Sequence, residues 1–181
     1  MTSTNGKTPK DAKNLASDYG LAPLSWERAK DRLEAEWKLQ GPSGDGRPHT
    51  HWLVTVRADG RPHIMPVGAV WQDGKFYVVS GPGTQKSTNL ARDPRCSIAV
   101  AAQGLDIVLE GEVARVTDDA RLQQIAAAFS DWGPQVRDGA FVHEYSAPSA
   151  GPPPWYVYEF TPKTVFGLAT AEPMGATRWR M

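Results

Sequence analysis

Two Asp-Gly dipeptides lie between runs of apolar residues, and they constrain the fold of this 181-residue chain more than any other feature. Asp59-Gly60 separates HWLVTVRA from RPHIMPVGAVW, and Asp73-Gly74 separates that second run from KFYVVSG. Asp-Gly between two β-type segments is the strongest short-range signal of a tight hairpin turn. The chain from His51 to Gly81 therefore predicts three antiparallel strands.

The remaining segments alternate short helices with further strands. Ser25 is a good N-cap for the helix WERAKDRLEAEW, and STNLARDP predicts a short helix that stops before Pro94. RCSIAVAAQ and LDIVLEGEVARVT predict two strands, the second with a bulge at Gly111, and DDARLQQIAAAFSDW predicts a helix that begins at Asp118. After a loop or lid at 133–154, WYVYEFTP and TVFGLAT predict two last strands. This order favours an all-β barrel with small flanking helices over a parallel βαβ sheet.

Composition narrows the class of protein. Twenty basic residues balance twenty acidic ones, so the net charge predicts no general attraction to nucleic acid or anionic lipid. The single cysteine, Cys96, cannot form an intramolecular disulfide, and no apolar run of about 20 residues predicts a membrane span. We expect a soluble cytoplasmic protein. Residues 1–24 are polar and are expected to be a disordered segment, followed by one domain at 25–181.

The stretch GPGTQKSTN, residues 81–89, joins the third strand to a helix and is the candidate site. The backbone N–H groups of such a turn, including that of Gly81, and the positive end of a helix suit a phosphate. Lys86 adds a positive charge, and hydroxyl and amide groups come from Ser80, Thr84, Ser87 and Asn89. The alternative is an ordinary capped turn with a solvated lysine, and the local sequence does not decide between the two.

Residues 61–100 resemble the cofactor-binding core of the pyridoxamine-phosphate-oxidase-like flavin and deazaflavin oxidoreductases. The matching positions are, in one strand, Pro62, Pro66 and Trp71, and, after the next strand, Lys86, Asn89, Leu90, Asp93, Pro94 and Arg95. DIVLEGEVARVTDD (106–119) and TRWR (177–180) resemble the branch that uses the deazaflavin coenzyme F420. The resemblance covers about residues 25–181 and implies a mainly β fold, a split β-barrel that binds FMN or F420.

The resemblance also implies a role for individual residues. It assigns the cofactor phosphate to Ser80, Gly81, Thr84, Lys86 and Asn89, and it lays the ring system along the backbone of His63, Ile64, Met65, Pro66 and Val67. It further implies a homodimer in which Trp179 and Arg180 complete the neighbouring subunit's site.

The choice of cofactor depends on one departure from the family pattern. FMN-using members carry an Arg and a Lys on the strand equivalent to 61–71, whereas this strand has no cation after Arg61. We therefore expect F420, with Arg57, Arg61 and Arg92 as a basic path for its acidic tail, and FMN as the alternative cofactor. The expected reaction is hydride transfer from the reduced deazaflavin to an unsaturated or quinone-like substrate. The proton donor stays open, with His63 and Tyr145 as candidates.

Other signals are weaker. A member of this fold can bind haem or another ligand without catalysis, and His63 and His143 are the possible haem ligands. HTH at 49–51 lacks a third metal ligand nearby, so we predict no metal site. Cys96 lies in the apolar predicted strand after DPR and is expected to be a buried, unreactive thiol. Glu110 and Glu112 alternate along a strand and are expected to face solvent.

Overall fold

The computed structural model describes residues 8–36, 51–129, 132–146 and 150–181. The helices are α1 (Trp26–Glu36), α2 (Gln85–Arg92) and α3 (Asp119–Ala126). The strands are β1 (Asp11–Asn14), β2 (His51–Val56), β3 (Pro62–Val67), β4 (Ala69–Gln72), β5 (Lys75–Ser80), β6 (Arg95–Ala102), β7 (Leu105–Val116), β8 (Gln135–Arg137), β9 (Ala140–Val142), β10 (Tyr156–Ala169) and β11 (Ala176–Arg180). None of the helices in these ranges has the length and apolarity needed to cross a membrane.

Asp59-Gly60 and Asp73-Gly74 form the predicted hairpin turns. Asp73 and Gly74 have φ of 53° and 76°, the positive values that a two-residue turn of this kind requires. At the other turn Gly60 has φ 85°, and the Arg57 N–H donates to the Arg61 carbonyl over 2.9 Å. The predicted strand 61–71 is divided at Gly68 into β3 and β4.

The strands form a split barrel. The main sheet has the order β3-β2-β6-β7-β10-β11-β1, and β5 pairs with both β10 and β4. Long strand β10 divides its pairing, since Tyr156–Phe160 lie beside β5 and Thr164–Leu168 lie beside β11. β4 follows β3 directly in the chain and pairs with β5, which pairs with β10. This connection links the edge strand β3 to the middle of the sheet. The predicted fold class, mainly β with small flanking helices, is confirmed.

The core lies inside the barrel and beneath the helices. Leu33 of α1 packs with Ile98, Leu109 and Phe160 from three strands, all nearly inaccessible to solvent. A second cluster forms under α3, where Leu122, Ile125 and Phe129 pack against Phe141 and Trp155. The sequence predicts this buried face, because these three residues of DDARLQQIAAAFSDW recur at helical spacing.

Three details differ from the sequence expectation. The two last strands are one, β10, because the chain passes through Pro162 with a β-bulge before Thr164 instead of turning. The bulge was predicted at Gly111 of β7. It lies instead on β10, directly opposite Gly111. The predicted loop 133–154 contains the hairpin β8-β9, whose Phe141 is fully buried.

The domain boundary at Ser25 is wrong for residues 8–24. β1 pairs with β11 along its whole length, and Leu24 is buried in the main core. The Leu24 N–H also donates to the buried Thr177 Oγ1 over 2.7 Å. A polar strand can belong to a fold when its backbone completes a sheet edge, and composition does not reveal this. Residues 1–7 lie outside the described ranges.

Candidate functional site

The turn after β5 is closed by a cluster of three hydroxyl groups. Thr84 is the N-cap of α2, and its Oγ1 accepts from the Ser87 N–H. The Ser80 and Thr84 hydroxyl oxygens lie 2.8 Å apart, and the Ser87 hydroxyl donates to Ser80 over 3.1 Å. Ser80 and Ser87 are 0% and 3% exposed. The two buried serines therefore stabilise the turn through hydrogen bonds within the protein. Thr84 is the one of the three hydroxyl residues that is partly exposed.

Gly81 makes a close backbone contact. Its N–H donates to the Ala150 carbonyl over 3.0 Å, so this amide has a partner within the chain. A Cβ at this position would lie 2.1 Å from the same oxygen, so a side chain cannot be accommodated without movement. We expected the Gly81 N–H to be directed at a phosphate. In the structure this N–H instead attaches the segment before β10 to the turn.

Asn89 joins α2 to the barrel. Its Nδ2 donates to Thr55 Oγ1 over 2.9 Å, and its Oδ1 accepts from Gln85 Nε2 over 2.8 Å. The Thr55 hydroxyl in turn lies 3.5 Å from His63 Nδ1. Asn89 and Thr55 are buried, so this chain of hydrogen bonds fixes α2 relative to β2 and β3. Thr55 was not singled out in the sequence, although a polar residue on the inward face of HWLVTV was a usable signal.

Positive charge converges where α2 meets β2 and β3. Lys86 is only 3% exposed, and burial lowers the pKa of its ammonium group. Burial also lowers the pKa of His63, as do the positive charges of Arg57 and Lys86. The charges that act on this imidazole are therefore all positive. An anion placed here would be attracted by at least two cations in a partly dry environment.

The predicted basic path is only partly present. Arg61 is engaged with Asp59, with Nη2 and Oδ2 2.7 Å apart. Arg92 donates to the Val56 carbonyl, which places its guanidinium at the end of β2, the strand that Arg57 follows. Among the described residues, no carboxylate lies within ion-pair distance of Arg57 or Arg92. Arg57 and Arg92 thus remain available to an acidic ligand.

β3 offers its backbone along one free edge. The Arg57 to Arg61 hydrogen bond sets the alternation, so the odd-numbered residues of β3 face β2 and the even-numbered ones face outward. Those outward residues are Pro62, Ile64 and Pro66, and within the part of the chain that is described no strand pairs with them. Since proline has no N–H, the edge presents three carbonyls and one donor, that of Ile64. The side chains of His63, Met65 and Val67 point to the inner face.

The prediction for Trp179 is corrected by its burial. Trp179 is 2% exposed, meets Trp26 edge on with ring centroids 5.6 Å apart, and packs on Gly167, whose missing side chain makes room for it. Its indole belongs to the core and does not extend toward a neighbour. Arg180 is exposed on the opposite face of β11. Arg178 lies on the same face as Arg180, is partly exposed, and is directly across from Phe166. Successive side chains of a strand point to opposite faces. This alternation along TRWR was the sequence signal that Trp179 faces the core while the two arginines lie on the other face.

The other candidates lie elsewhere. His143 stacks on the exposed Tyr145 with ring centroids 4.7 Å apart, on the segment after β9. Cys96 is buried, and burial raises the pKa of its thiol to about 12, which confirms the prediction of an unreactive thiol. Glu110 faces solvent as predicted, and Glu112 pairs with Lys163. His49 and Thr50 of the HTH stretch lie outside the described residues.

A groove of about 530 Å³ opens on the outer face of the sheet, away from the residues predicted to bind a cofactor. Val54 and Val56 form its apolar side, and the ion pairs Asp93–Arg95 and Glu112–Lys163 lie on its border. None of the residues assigned to the phosphate lines it.

The split antiparallel barrel, with cations beside its strand-to-helix turn, is the fold of a family that includes flavin-binding proteins. The sequence profile described as pyridoxamine 5′-phosphate oxidase matches residues 45–173, and the chain belongs to that family. No curated protein matches the sequence.

Solved structures share the fold at low sequence identity. A structure titled F420 reductase is 19% identical, with a TM-score of 0.50 over 80% of this chain and 98% of that one. An FAD-binding protein from Mesorhizobium loti is 20% identical, with a TM-score of 0.52 over 87% and 96%. A haem-binding protein from Mycobacterium smegmatis is 18% identical, with a TM-score of 0.53 over 86% of this chain and 59% of that one. At such identities the likeness shows the fold alone.

Proposed function

We propose that this protein is an F420-dependent oxidoreductase that reduces an unsaturated or quinone-like organic substrate. The observation that carries the proposal is the meeting of Lys86, His63 and Arg57 at the junction of α2 with β2 and β3. Arg92 continues this positive region along the end of β2. A cofactor with a phosphate and a further acidic tail matches such an extended region better than one with a terminal phosphate, which favours F420 over FMN.

The proposed binding roles follow from the charge of Lys86 and His63 and from the partial exposure of Thr84. Lys86 and Thr84 contact the phosphate, and His63 lies on its other side. Ser80, Gly81 and Asn89 form the buried support that fixes these groups, since each is bonded within the chain. The backbone from His63 to Val67 lines the ring system, with the Ile64 N–H as donor and the carbonyls of the even-numbered residues as acceptors.

The protein's part in the reaction is binding, orientation and exclusion of water. When bound, F420 supplies a hydride, and no catalytic side chain is required for that transfer. The β3 edge holds a flat ring in one orientation, which reduces the entropy lost on reaching the transition state. His63, the polar side chain of β3, is the proposed proton donor.

The assembly that we propose is a homodimer. A ring placed against the β3 edge is covered on one side only, and a second subunit supplies the other wall. Arg180 is the proposed contribution of that subunit, because it is exposed at the end of β11 whereas Trp179 is buried.

Titration of the purified protein with F420 and with FMN tests this function. We expect fluorescence quenching with F420 at micromolar or tighter affinity and weaker binding of FMN. Lys86→Ala should weaken F420 binding by about 10- to 150-fold, since a charge-assisted hydrogen bond contributes about 1.5–3 kcal/mol. Lys163→Ala, which removes a surface lysine paired with Glu112, is the matched control and should bind as wild type does.

Two outcomes would contradict the proposal. If FMN binds tightly and F420 does not, the protein is an FMN-dependent member of the family. If neither binds and haemin produces a Soret band, the barrel is a haem-binding protein without this redox activity.

A further inference from the structure

A chain of polar side chains connects the protein surface at the start of α2 with the imidazole of His63. Gln85 Nε2 donates to Asn89 Oδ1 over 2.8 Å, and Asn89 Nδ2 donates to Thr55 Oγ1 over 2.9 Å. Thr55 Oγ1 lies 3.5 Å from His63 Nδ1. Gln85 is exposed, whereas Thr55 and Asn89 are 1% and 2% exposed. The two middle members are buried and therefore find their hydrogen-bond partners within the protein.

The exposed end sets the direction of this chain. The Gln85 amide donates, so Asn89 directs its carbonyl oxygen toward Gln85 and its NH2 group toward Thr55. A threonine hydroxyl has a single hydrogen. Since the Thr55 oxygen accepts from Asn89, its own hydrogen is directed toward β3. The two acceptors within reach there are Nδ1 and the carbonyl of His63, at 3.5 and 3.4 Å.

The pairing of β2 with β3 decides between these two acceptors. Thr55 and His63 are direct partners in register, and the Arg57 to Arg61 hydrogen bond places them in a hydrogen-bonded pair of the ladder. The His63 carbonyl therefore already accepts from the Thr55 backbone N–H. Among the described residues, no other side chain lies within hydrogen-bond distance of the imidazole. The Thr55 hydroxyl hydrogen is thus directed at Nδ1, and the neutral ring carries its own hydrogen on Nε2.

We propose that Thr55 is a positioning residue that holds neutral His63 in the tautomer with hydrogen on Nε2, and that Gln85 selects this tautomer from the surface through Asn89. The inference rests on the proposed function, in which His63 lies beside the phosphate and is the proton donor. A neutral imidazole in this tautomer donates a hydrogen bond through Nε2, so it contacts an anion without first gaining a second proton. The charged groups that act on it are Arg57, after β2, and Lys86, of α2, and both favour the neutral ring.

Gln85→Glu tests the direction of the chain. A carboxylate only accepts, so Asn89 would turn its NH2 group toward position 85 and its oxygen toward Thr55. The Thr55 hydroxyl would then donate to Asn89 and accept from the Nδ1–H of His63. Nitrogen NMR of the free protein at about pH 8, where the imidazole is neutral, measures the two tautomers. The ratio of the Nε2–H form to the Nδ1–H form should fall by about fivefold or more, which is the effect of one hydrogen bond of ordinary strength.

Two controls separate the hydrogen-bond chain from the added charge. Gln85→Lys introduces a group that only donates, so it preserves the direction of the chain and the tautomer ratio of wild type. In a Thr55→Val background the chain is interrupted, so Gln85→Glu should no longer change the ratio, whereas a Thr55→Ser background keeps the hydroxyl and the response. The spectrum of His63→Gln identifies the His63 signals among those of the four histidines. Gln85 is exposed, so both substitutions at this position leave the buried core unchanged.

Two results would overturn the proposal. One is a wild-type tautomer ratio in Gln85→Glu. The other is an equal response to Gln85→Glu in the Thr55→Val background, which would mean that the new carboxylate acts through space.

The tautomer is measured without coenzyme, so its outcome is separate from that of the proposed function. If Gln85→Glu changes the ratio and wild type does not bind F420, the hydrogen-bond chain stands and the function is wrong. If wild type binds F420 and Gln85→Glu leaves the ratio unchanged, the function stands and the role of Thr55 is wrong.

Discussion

At the residue scale, we propose that the polar groups of the site divide into those that hold the structure and those that meet a ligand. Ser80 and Asn89 are bonded within the chain, so removing either would leave a buried partner unsatisfied. Burial lowers the pKa values of Lys86 and His63, and lowered pKa values of this kind are common at functional sites. The sequence identified the residue types but not this division, because hydrogen-bond partners from β2 are distant in the chain.

His63 should make anion binding depend on pH. Burial and the charges of Arg57 and Lys86 lower its pKa in the free protein, and a bound anion raises it again. Binding is then coupled to proton uptake, so F420 affinity should rise as pH falls from 8 to 5 and level off once the free imidazole is protonated. Dissociation constants across this range, for wild type and His63→Gln, measure the effect. A His63→Gln profile as steep as wild type would show that His63 does not face the anion.

At the element scale, local signals determined most strands but not how they continue. The turns at Asp59-Gly60 and Asp73-Gly74, the helix start at Asp118 and the end of α2 before Pro94 were predicted, because each depends on neighbouring residues. The continuity of β10 through Pro162 was not predicted, since pairing with β7 on one side overrides the expected break. The burial of Trp179 was likewise decided by the distant Gly167. The burial of Phe141 in the predicted loop depends on α3, which packs over it.

Gly81→Ala tests the contact between the turn and the segment before β10. The new methyl group would lie 2.1 Å from the Ala150 oxygen and break the 3.0 Å hydrogen bond, so we expect a loss of about 1–3 kcal/mol in the free energy of unfolding. Gly83→Ala is the matched control, because nothing lies within 4 Å of its added carbon. Urea denaturation of both variants gives the difference. Equal stability would mean that the two segments move apart without cost.

At the scale of the whole molecule, the N-terminal segment is part of the barrel. Residues 8–24 extend the sheet with β1, and α1 then closes the barrel with Ala29 and Leu33. Arg28 of this helix donates to the carbonyls of Gly104, Ala171 and Pro173, which fixes the connection between β10 and β11. The first and last parts of the chain therefore stabilise each other.

Deleting residues 1–24 should destabilise the protein by about 3–5 kcal/mol, since it removes the burial of Leu24 and the hydrogen bonds of β1. A chain that lacks only residues 1–7 retains every described contact and is the control. Thermal unfolding should show a large decrease in Tm for the longer deletion and little change for the shorter one. If both deletions unfold together with the full chain, β1 contributes no stability.

The prolines at the free edge of β3 have a consequence for how the protein behaves at high concentration. A strand of another molecule that paired with this edge would find one backbone N–H donor, that of Ile64, because Pro62 and Pro66 have no N–H. These prolines therefore oppose the repeated addition of strands at the β3 edge, which is the first step toward fibrils. The barrel can therefore leave the β3 edge uncovered for the proposed cofactor ring without promoting polymerisation.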